Sequence, residues 1–205
     1  MGRMLRRAAP LAIIAVVMMQ GAALAATATV SMVGTGVSTF AFSPKTVTVK
    51  PIDNVQWTNS STTFHTATND TTDPWVFDTG VLSVGSTSST IAFSASGSFT
   101  YHCAIHPTIM MGTVKVPMRA VPTTGTLGTT FKITWASAAP PAGLVFDVQK
   151  KDPGGSFLPW QTGVTTLNMN FTPTATGQTQ FKALVRNASS GAKSGFSAVK
   201  TITVT

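Results

Sequence analysis

The sequence predicts an all-β protein built from two β-sandwiches. Short runs alternate apolar and polar residues, as in Lys45–Lys50 and Val55–Asn59, and this period of two is typical of half-buried strands. Pro51–Asn54 separates these runs with residues that favour turns. No stretch after the N-terminal region shows a helical period, and 205 residues are enough for two small domains.

Further alternating runs extend this pattern along the chain. They are predicted strands at Ser89–Phe93, Gly97–Cys103, Gly112–Val116, Thr130–Trp135, Val145–Lys150, Thr179–Arg186 and Val199–Val204. The segment Pro117–Pro122 has proline at both ends, so we expect it to stay outside the sheets. We place the first domain at residues 26–118 and the second at 119–205.

The N-terminus has the three zones of a secretory signal peptide. Three Arg within the first seven residues precede the apolar run Leu11–Met19, and Ala23–Ala25 supplies a small-residue cleavage site. A membrane anchor is the alternative, but the run is shorter than the roughly 20 residues that span a bilayer. We expect residues 1–25 to be removed, and the protein to be periplasmic, at the cell surface or extracellular.

Positive charge is concentrated in the second predicted domain. Residues 26–118 hold three Lys against four Asp, whereas residues 119–205 hold eight Lys and Arg against two Asp, a net charge of +6. Such an excess favours an anionic partner such as a cell-wall polymer or acidic lipid headgroups, although solvated surface charge is the commoner explanation. The basic residues form no cluster with interleaved aromatics, so we expect no nucleic-acid binding.

Cys103 is the single cysteine of the sequence, so no internal disulfide can form. Exported proteins normally pair or avoid cysteines, because their compartment is oxidising. An inert buried thiol is one interpretation. The other is a thiolate protected by a bound metal.

The residues around Cys103 favour the metal interpretation. His106, Met110 and Met111 follow it within one strand-to-loop turn. Thiolate and thioether sulfur together favour copper, and two His, one Cys and a distant axial Met form the blue-copper geometry. The sequence therefore predicts one copper ion.

A second imidazole must come from His65 or His102, the other histidines of the chain. In a strand, Cys103 faces one side of the sheet and His102 the other. His65 follows the strand predicted to end at Asn59, within a polar loop from which a side chain can reach inward. We therefore expect His65 to be the ligand.

The first domain resembles the cupredoxins, particularly the plastocyanin, amicyanin and pseudoazurin group. The matching motifs occur in the family's order and cover nearly all of residues 30–117. They are Phe42–Pro44, Val47–Val49, Val55–Asn59, His65–Thr66, Phe77–Leu82 and Gly97–Cys103. The resemblance implies a Greek-key β-sandwich.

The resemblance also implies a ligand set. His65, Cys103 and His106 would be the equatorial ligands, and the Met of a Met-x-Gly step would be axial, which selects Met110. Three residues separate His106 from Met110, where the family patterns have two or four. Met111 therefore remains an alternative axial ligand.

One-electron transfer is the expected function, through a transient complex with a redox protein. The resemblance implies that electrons leave at the exposed edge of His106, near Pro107 and Ile109. Pro44 and Trp75 are further neighbours to consider, although Trp75 is more simply explained as a core residue.

We expect no enzyme activity, since copper oxidases and nitrite reductases need additional His-rich sites. Copper storage or delivery, and wall binding or adhesion with an incidental copper site, are the alternatives.

The second domain resembles a fibronectin type III or related immunoglobulin-like module. The resemblance depends on Trp135, Phe146–Gln149, Phe181–Arg186 and Ser194–Ser197 before a final strand. It implies a scaffold that holds or spaces the copper domain, and a fold alone gives no function.

Overall fold

The computed structural model of the protein describes residues 24–70 and 72–205, and within them the chain is all-β, as predicted. No helix in these ranges is long and apolar enough to cross a membrane. The predicted signal peptide lies almost wholly outside the described residues and stays a prediction.

The described part of the chain contains sixteen strands and one short 3-10 helix, Val37–Thr39. The strands are β1 (Thr27–Val33), β2 (Ala41–Ser43), β3 (Thr46–Thr48), β4 (Asn54–Asn59), β5 (Thr68–Asn69), β6 (Ile91–Ala92), β7 (Gly97–His102), β8 (Met111–Val116), β9 (Arg119–Val121), β10 (Thr124–Gly125), β11 (Phe131–Thr134), β12 (Leu144–Lys151), β13 (Leu158–Val164), β14 (Asn168–Phe171), β15 (Gly177–Asn187) and β16 (Lys200–Val204).

Strands β1–β8 form an N-terminal sandwich of two four-stranded sheets. One sheet has the order β2-β1-β4-β6 and the other β3-β8-β7-β5. Neighbouring strands are antiparallel except for the parallel pairs β1–β4 and β3–β8. The sheets face each other across an aromatic core, in which the rings of Trp57 and Tyr101 lie 5.4 Å apart.

Alternation along two strands decides which side chains enter this core. On β4, Val55, Trp57 and Asn59 are buried while the residues between them are only partly buried. On β7, Phe99 and Tyr101 point inward, so the next inward position is Cys103. The sheet therefore aims the cysteine at the interior.

Strands β9–β16 form a C-terminal sandwich of a three-stranded sheet, β14-β11-β9, and a five-stranded sheet, β10-β16-β15-β12-β13. Phe171 of the first sheet packs on Phe181 of the second, with ring centroids 5.4 Å apart. Trp135 is fully buried, and its ring packs on Trp160 with centroids 6.1 Å apart. Its indole N–H donates to the carbonyl of Thr166 at 2.6 Å.

The expectation that Pro117–Pro122 stays outside the sheets is wrong. Arg119–Val121 forms β9, which pairs with β11 in antiparallel register. Because β9 is the edge strand of its sheet, the nearby Pro117 and Pro122 need no ladder partner on the open side.

The two sandwiches are joined by backbone hydrogen bonds. Ser98 of β7 and Gly195 exchange both of their N–H···O=C bonds at 2.9 Å, and Ser96 N–H donates to Trp135 at 2.7 Å. Buried apolar side chains of both halves also form one continuous cluster. The boundary at residue 118 thus stays a prediction, since the halves share a core.

Gly195 should be essential to this junction. A Cβ there would lie 3.0 Å from the Ser98 Cβ and 3.1 Å from the Ser98 carbonyl oxygen. We expect Gly195→Val to lower the free energy of unfolding by about 1–3 kcal/mol, because the larger side chain forces the two backbones apart. Denaturant titration measures this. Gly36→Val is the matched control, since Gly36 is extended and a Cβ there meets nothing within 4 Å. Equal stability of the two variants would contradict the close approach.

Candidate metal centre

A tight loop after β7 presents Cys103 and His106 to the same point. Cys103 N–H donates to the carbonyl of Met110, and His106 N–H donates back to that of Cys103, both at 3.0 Å. Met110 N–H closes the turn on the His106 carbonyl at 3.0 Å. The pairing of β7 with β8 fixes both ends of this loop.

His65 reaches the same point from the other side of the sandwich. Its backbone pairs with Leu82, with hydrogen bonds of 3.2 and 2.8 Å. The buried amide of Asn59 holds both the loop before His65 and the segment that pairs with His65. Its Nδ2 donates to the carbonyl of Thr63 at 2.7 Å and to that of Leu82 at 2.8 Å. The loop before His65 is therefore tied to β4.

The ligand atoms of His65, Cys103 and His106 all lie within 4.8 Å of one another. The Cys103 sulfur is 3.6 Å from Nδ1 of His65 and 3.7 Å from Nδ1 of His106. Cys103 and His65 are fully buried, whereas His106 is partly exposed. Two imidazole nitrogens thus converge on one sulfur in a pocket that is largely closed to water.

Burial lowers the pKa of His65, and the nearby His106 lowers it further. His65 is therefore neutral at physiological pH, with a nitrogen lone pair free to bind a cation.

The donor set fits a type 1 copper ion. Two imidazoles and one thiolate are the equatorial ligands of such a site, and a thioether is its weak axial ligand. Met110 is fully buried next to the loop, while Met111 is 51% exposed on β8. Burial thus favours Met110 over Met111 as the axial ligand, which remains a prediction. Bound there, copper would supply a one-electron couple.

Comparison with known proteins gives the same result. Residues 28–117 match the family described as copper binding proteins, plastocyanin/azurin family. These residues form a copper-binding cupredoxin domain. No curated protein matches the chain.

Several solved structures are similar to this cupredoxin domain. A purple cupredoxin from Nitrosopumilus maritimus is 23% identical, with a TM-score of 0.38, over 43% of this chain and 98% of that one. A mutant fern plastocyanin is 27% identical, with a TM-score of 0.37, over 43% of this chain and 99% of that one. A copper-containing nitrite reductase from Thermus scotoductus is 27% identical, with a TM-score of 0.36, over 45% of this chain and 22% of that one.

Thr66 supports the cupredoxin site without being a ligand, a role that the His65–Thr66 motif alone did not indicate. Its backbone N–H points at the Cys103 sulfur at 3.3 Å, and its hydroxyl accepts the N–H of Ala104 at 2.8 Å. The N–H is thus placed to donate to the sulfur and helps to hold it in position. Thr66 therefore connects the His65 loop to the Cys103 loop.

Phe40 is a second residue that only the structure reveals. Its ring centroid lies 4.8 Å from that of His65 and 5.0 Å from that of His106. Packing against both imidazoles restricts their rotation before any metal binds.

The remaining candidates lie elsewhere, as predicted. His102 faces away from the cluster, and its Nδ1 lies 2.7 Å from Asp70 Oδ1. Trp75 is buried, and its ring packs on Phe99 with centroids 5.6 Å apart.

The copper-loaded protein should show an intense thiolate-to-copper absorption band in the visible region. Cys103→Ser should abolish it, because the hydroxyl cannot replace the thiolate as the charge-transfer donor. The matched control is His102→Gln, which changes the neighbouring side chain on the opposite face and should keep the band. Visible and electron spin resonance spectra measure this. Cupric protein that stays colourless would contradict the site.

Thr66→Val should weaken the connection between the two loops. The methyl group leaves the Ala104 N–H without its acceptor, which we expect to lower the free energy of unfolding by about 1 kcal/mol. Denaturant titration of the copper-free protein measures the loss. Thr58→Val is the control, because its hydroxyl bonds only the exposed Thr87 hydroxyl. A loss no greater than that of the control would show that Thr66 does not support the site.

Proposed function

We propose that the protein is an exported one-electron carrier. The observation that carries this proposal is the preassembled ligand set, with the thiol and one imidazole buried and the other imidazole at the surface. Ligands that are already in position need little movement when copper changes oxidation state. Electron transfer is fast when little must reorganise.

Exposed apolar residues next to the two histidine ligands in the chain support transfer between proteins. Phe64, which precedes His65, is 54% exposed, and Ile105 and Ile109, on either side of His106, are 47% and 43% exposed, with Pro107 also exposed. We call these four residues the apolar rim. Such a patch suits a weak and short-lived complex with a redox partner, because it carries no charge that would hold the partner.

The protein itself is proposed to turn over no substrate. Among residues 24–70 and 72–205, the only cluster of three metal-binding His, Cys, Asp or Glu side chains is His65, Cys103 and His106. His102, the remaining histidine, is engaged with Asp70. Neither observation offers a second metal at which a substrate could react.

For the C-terminal sandwich we propose a fibronectin type III-like scaffold. Its sheet orders, β14-β11-β9 against β10-β16-β15-β12-β13, support this, as does the buried Trp135 directly after β11. Its charge of +6 supports attachment to an anionic cell-wall polymer or membrane surface outside the cytoplasm, and nucleic acid is not the proposed partner.

The attachment point leaves the metal end free. Ser98, which joins the C-terminal sandwich, lies five residues before Cys103 on the same extended strand, or about 17 Å away. A scaffold fixed to a surface would thus present the apolar rim outward.

Electron self-exchange between cuprous and cupric protein tests the carrier function. We expect Ile109→Lys to slow it by about ten-fold or more, because two facing rims would then repel each other. Nuclear magnetic resonance line broadening in mixtures of the two oxidation states measures the rate. Leu158→Lys is the control, because Leu158 is 66% exposed in the C-terminal sandwich and the variant adds the same charge away from the metal. It should change the self-exchange rate by less than about two-fold.

Copper release separates the carrier from a storage or delivery protein. With a cuprous chelator in excess, copper should leave far more slowly than electrons exchange. Copper release that is faster than electron self-exchange would contradict the carrier function and indicate metal delivery instead.

A further inference from the structure

A cavity of about 600 Å³ lies where the two sandwiches meet, at the opposite end of β8 from the metal loop. Both halves contribute to its lining, which consists of Lys50, Pro51, Ile52, Pro117, Met118, Arg119, Thr134, Ala136 and Ser137. Its volume falls within the range of small-molecule sites, about 300–1,000 Å³, and such sites often lie between domains.

Hydrogen bonds across the junction fix the walls of this cavity. The Ser137 hydroxyl donates to the carbonyl of Pro51, and Ser137 N–H donates to the carbonyl of Ser94 at 2.8 Å. Within the N-terminal half, the Ser96 hydroxyl also donates to the carbonyl of Pro117 at 3.2 Å. The cavity is therefore formed before any ligand arrives, and binding needs little ordering of the chain.

The lining combines apolar walls with two cations. Pro51, Ile52, Pro117 and Met118 line it with carbon, and Met118 is 4% exposed. Lys50 and Arg119 are exposed at its margin. In the part of the chain that the structure describes, neither of these cations is in an ion pair.

Asp53 is the acidic residue nearest to Lys50 in sequence, and its oxygens are bound to the backbone. They accept the backbone N–H of Lys50 at 2.9 Å and of Ala26 at 3.0 Å. The bond from Lys50 N–H is the main cause of the lowered pKa of Asp53, despite partial burial. The charge of Lys50 also lowers the pKa of Asp53, so this carboxylate offsets part of the charge of Lys50. Asp53 does not line the cavity, and Arg119 has no acidic partner in the described residues. The margin therefore stays positive on balance.

We infer that this junction cavity binds a small organic anion with an apolar body. The carbon-lined walls would bury the body, and Lys50 and Arg119 would bind the acidic group, with Arg119 able to donate two parallel hydrogen bonds. A neutral molecule of the same shape would gain no such contact, and the two exposed cations would stay hydrated. The inference concerns residues remote from copper and does not depend on electron transfer.

A pair of fluorescent probes tests the charge requirement on the full mature protein with copper bound. 1-Anilinonaphthalene-8-sulfonate has an apolar body and an anionic group, and N-phenyl-1-naphthylamine is nearly the same body without the anion. We expect the sulfonate to bind with 1:1 stoichiometry and at least about ten-fold more tightly than the amine, since hydrogen bonds to charged groups are among the stronger ones.

Variants place the bound probe. Lys50→Gln with Arg119→Gln should weaken sulfonate binding by about ten-fold or more and leave binding of the amine unchanged. Lys151→Gln is the control, because Lys151 lies on β12 in the five-stranded sheet, whereas Arg119 lies on β9 in the three-stranded sheet. It should change the affinity for neither probe. Dodecanoate should displace the sulfonate, whereas dodecanol should not. An unchanged visible copper band and an unchanged denaturation midpoint show that both sandwiches of each variant are folded.

Two results would overturn the inference. One is sulfonate affinity that survives loss of both cations, which would place the probe on another apolar surface such as the apolar rim. The other is equal affinity for the two probes, which would show that the cavity does not select charge.

Discussion

The burial of one sulfur atom between two imidazoles is the constraint on which the rest of the N-terminal sandwich depends. A thiolate in a pocket without water is costly unless a cation and hydrogen bonds compensate for the lost solvation. His65 and Cys103 lie 38 residues apart in the chain, so two separate segments must be held together before the cation can be shared. The strand pairs, the Asn59 amide and the Thr66 contacts all serve to hold these two segments.

Much of this arrangement was predictable from the sequence, because the alternation of residues along a strand decides which side chains face inward. The alternation of β4 and β7 is long enough to show which side chains face inward, and it placed Cys103 inside and His102 outside. Strands of two or three residues such as β5 and β10 show no period, so the sequence could not reveal them. The edge strand β9 was misjudged because proline excludes only central positions.

The residues around the ligands were harder to predict, because their roles arise from contacts between distant segments. Thr66 contacts Cys103 and Ala104 across 37 and 38 positions of sequence, and no local pattern gives such a distance. Asn59 did carry a recognisable feature. It follows Val55 and Trp57 at the next inward-facing position of β4, and a buried amide must find hydrogen-bond partners there. The loop that leads to His65 supplies one of them, the carbonyl of Thr63.

The geometry of β7 separates the two ends of the N-terminal sandwich. Its last inward position leads to Cys103, whereas its beginning joins the C-terminal sandwich through Ser98. That connection lies about 17 Å from the metal loop along the strand, roughly two Debye lengths at physiological ionic strength. The cations of the cavity are attached at this end, on segments that adjoin the junction. At such a separation their field would be largely screened at the apolar rim, so a redox partner would meet an uncharged surface while an anion could still be attracted to the cavity. On this argument, β7 separates the proposed contact for electron transfer from the proposed anion site.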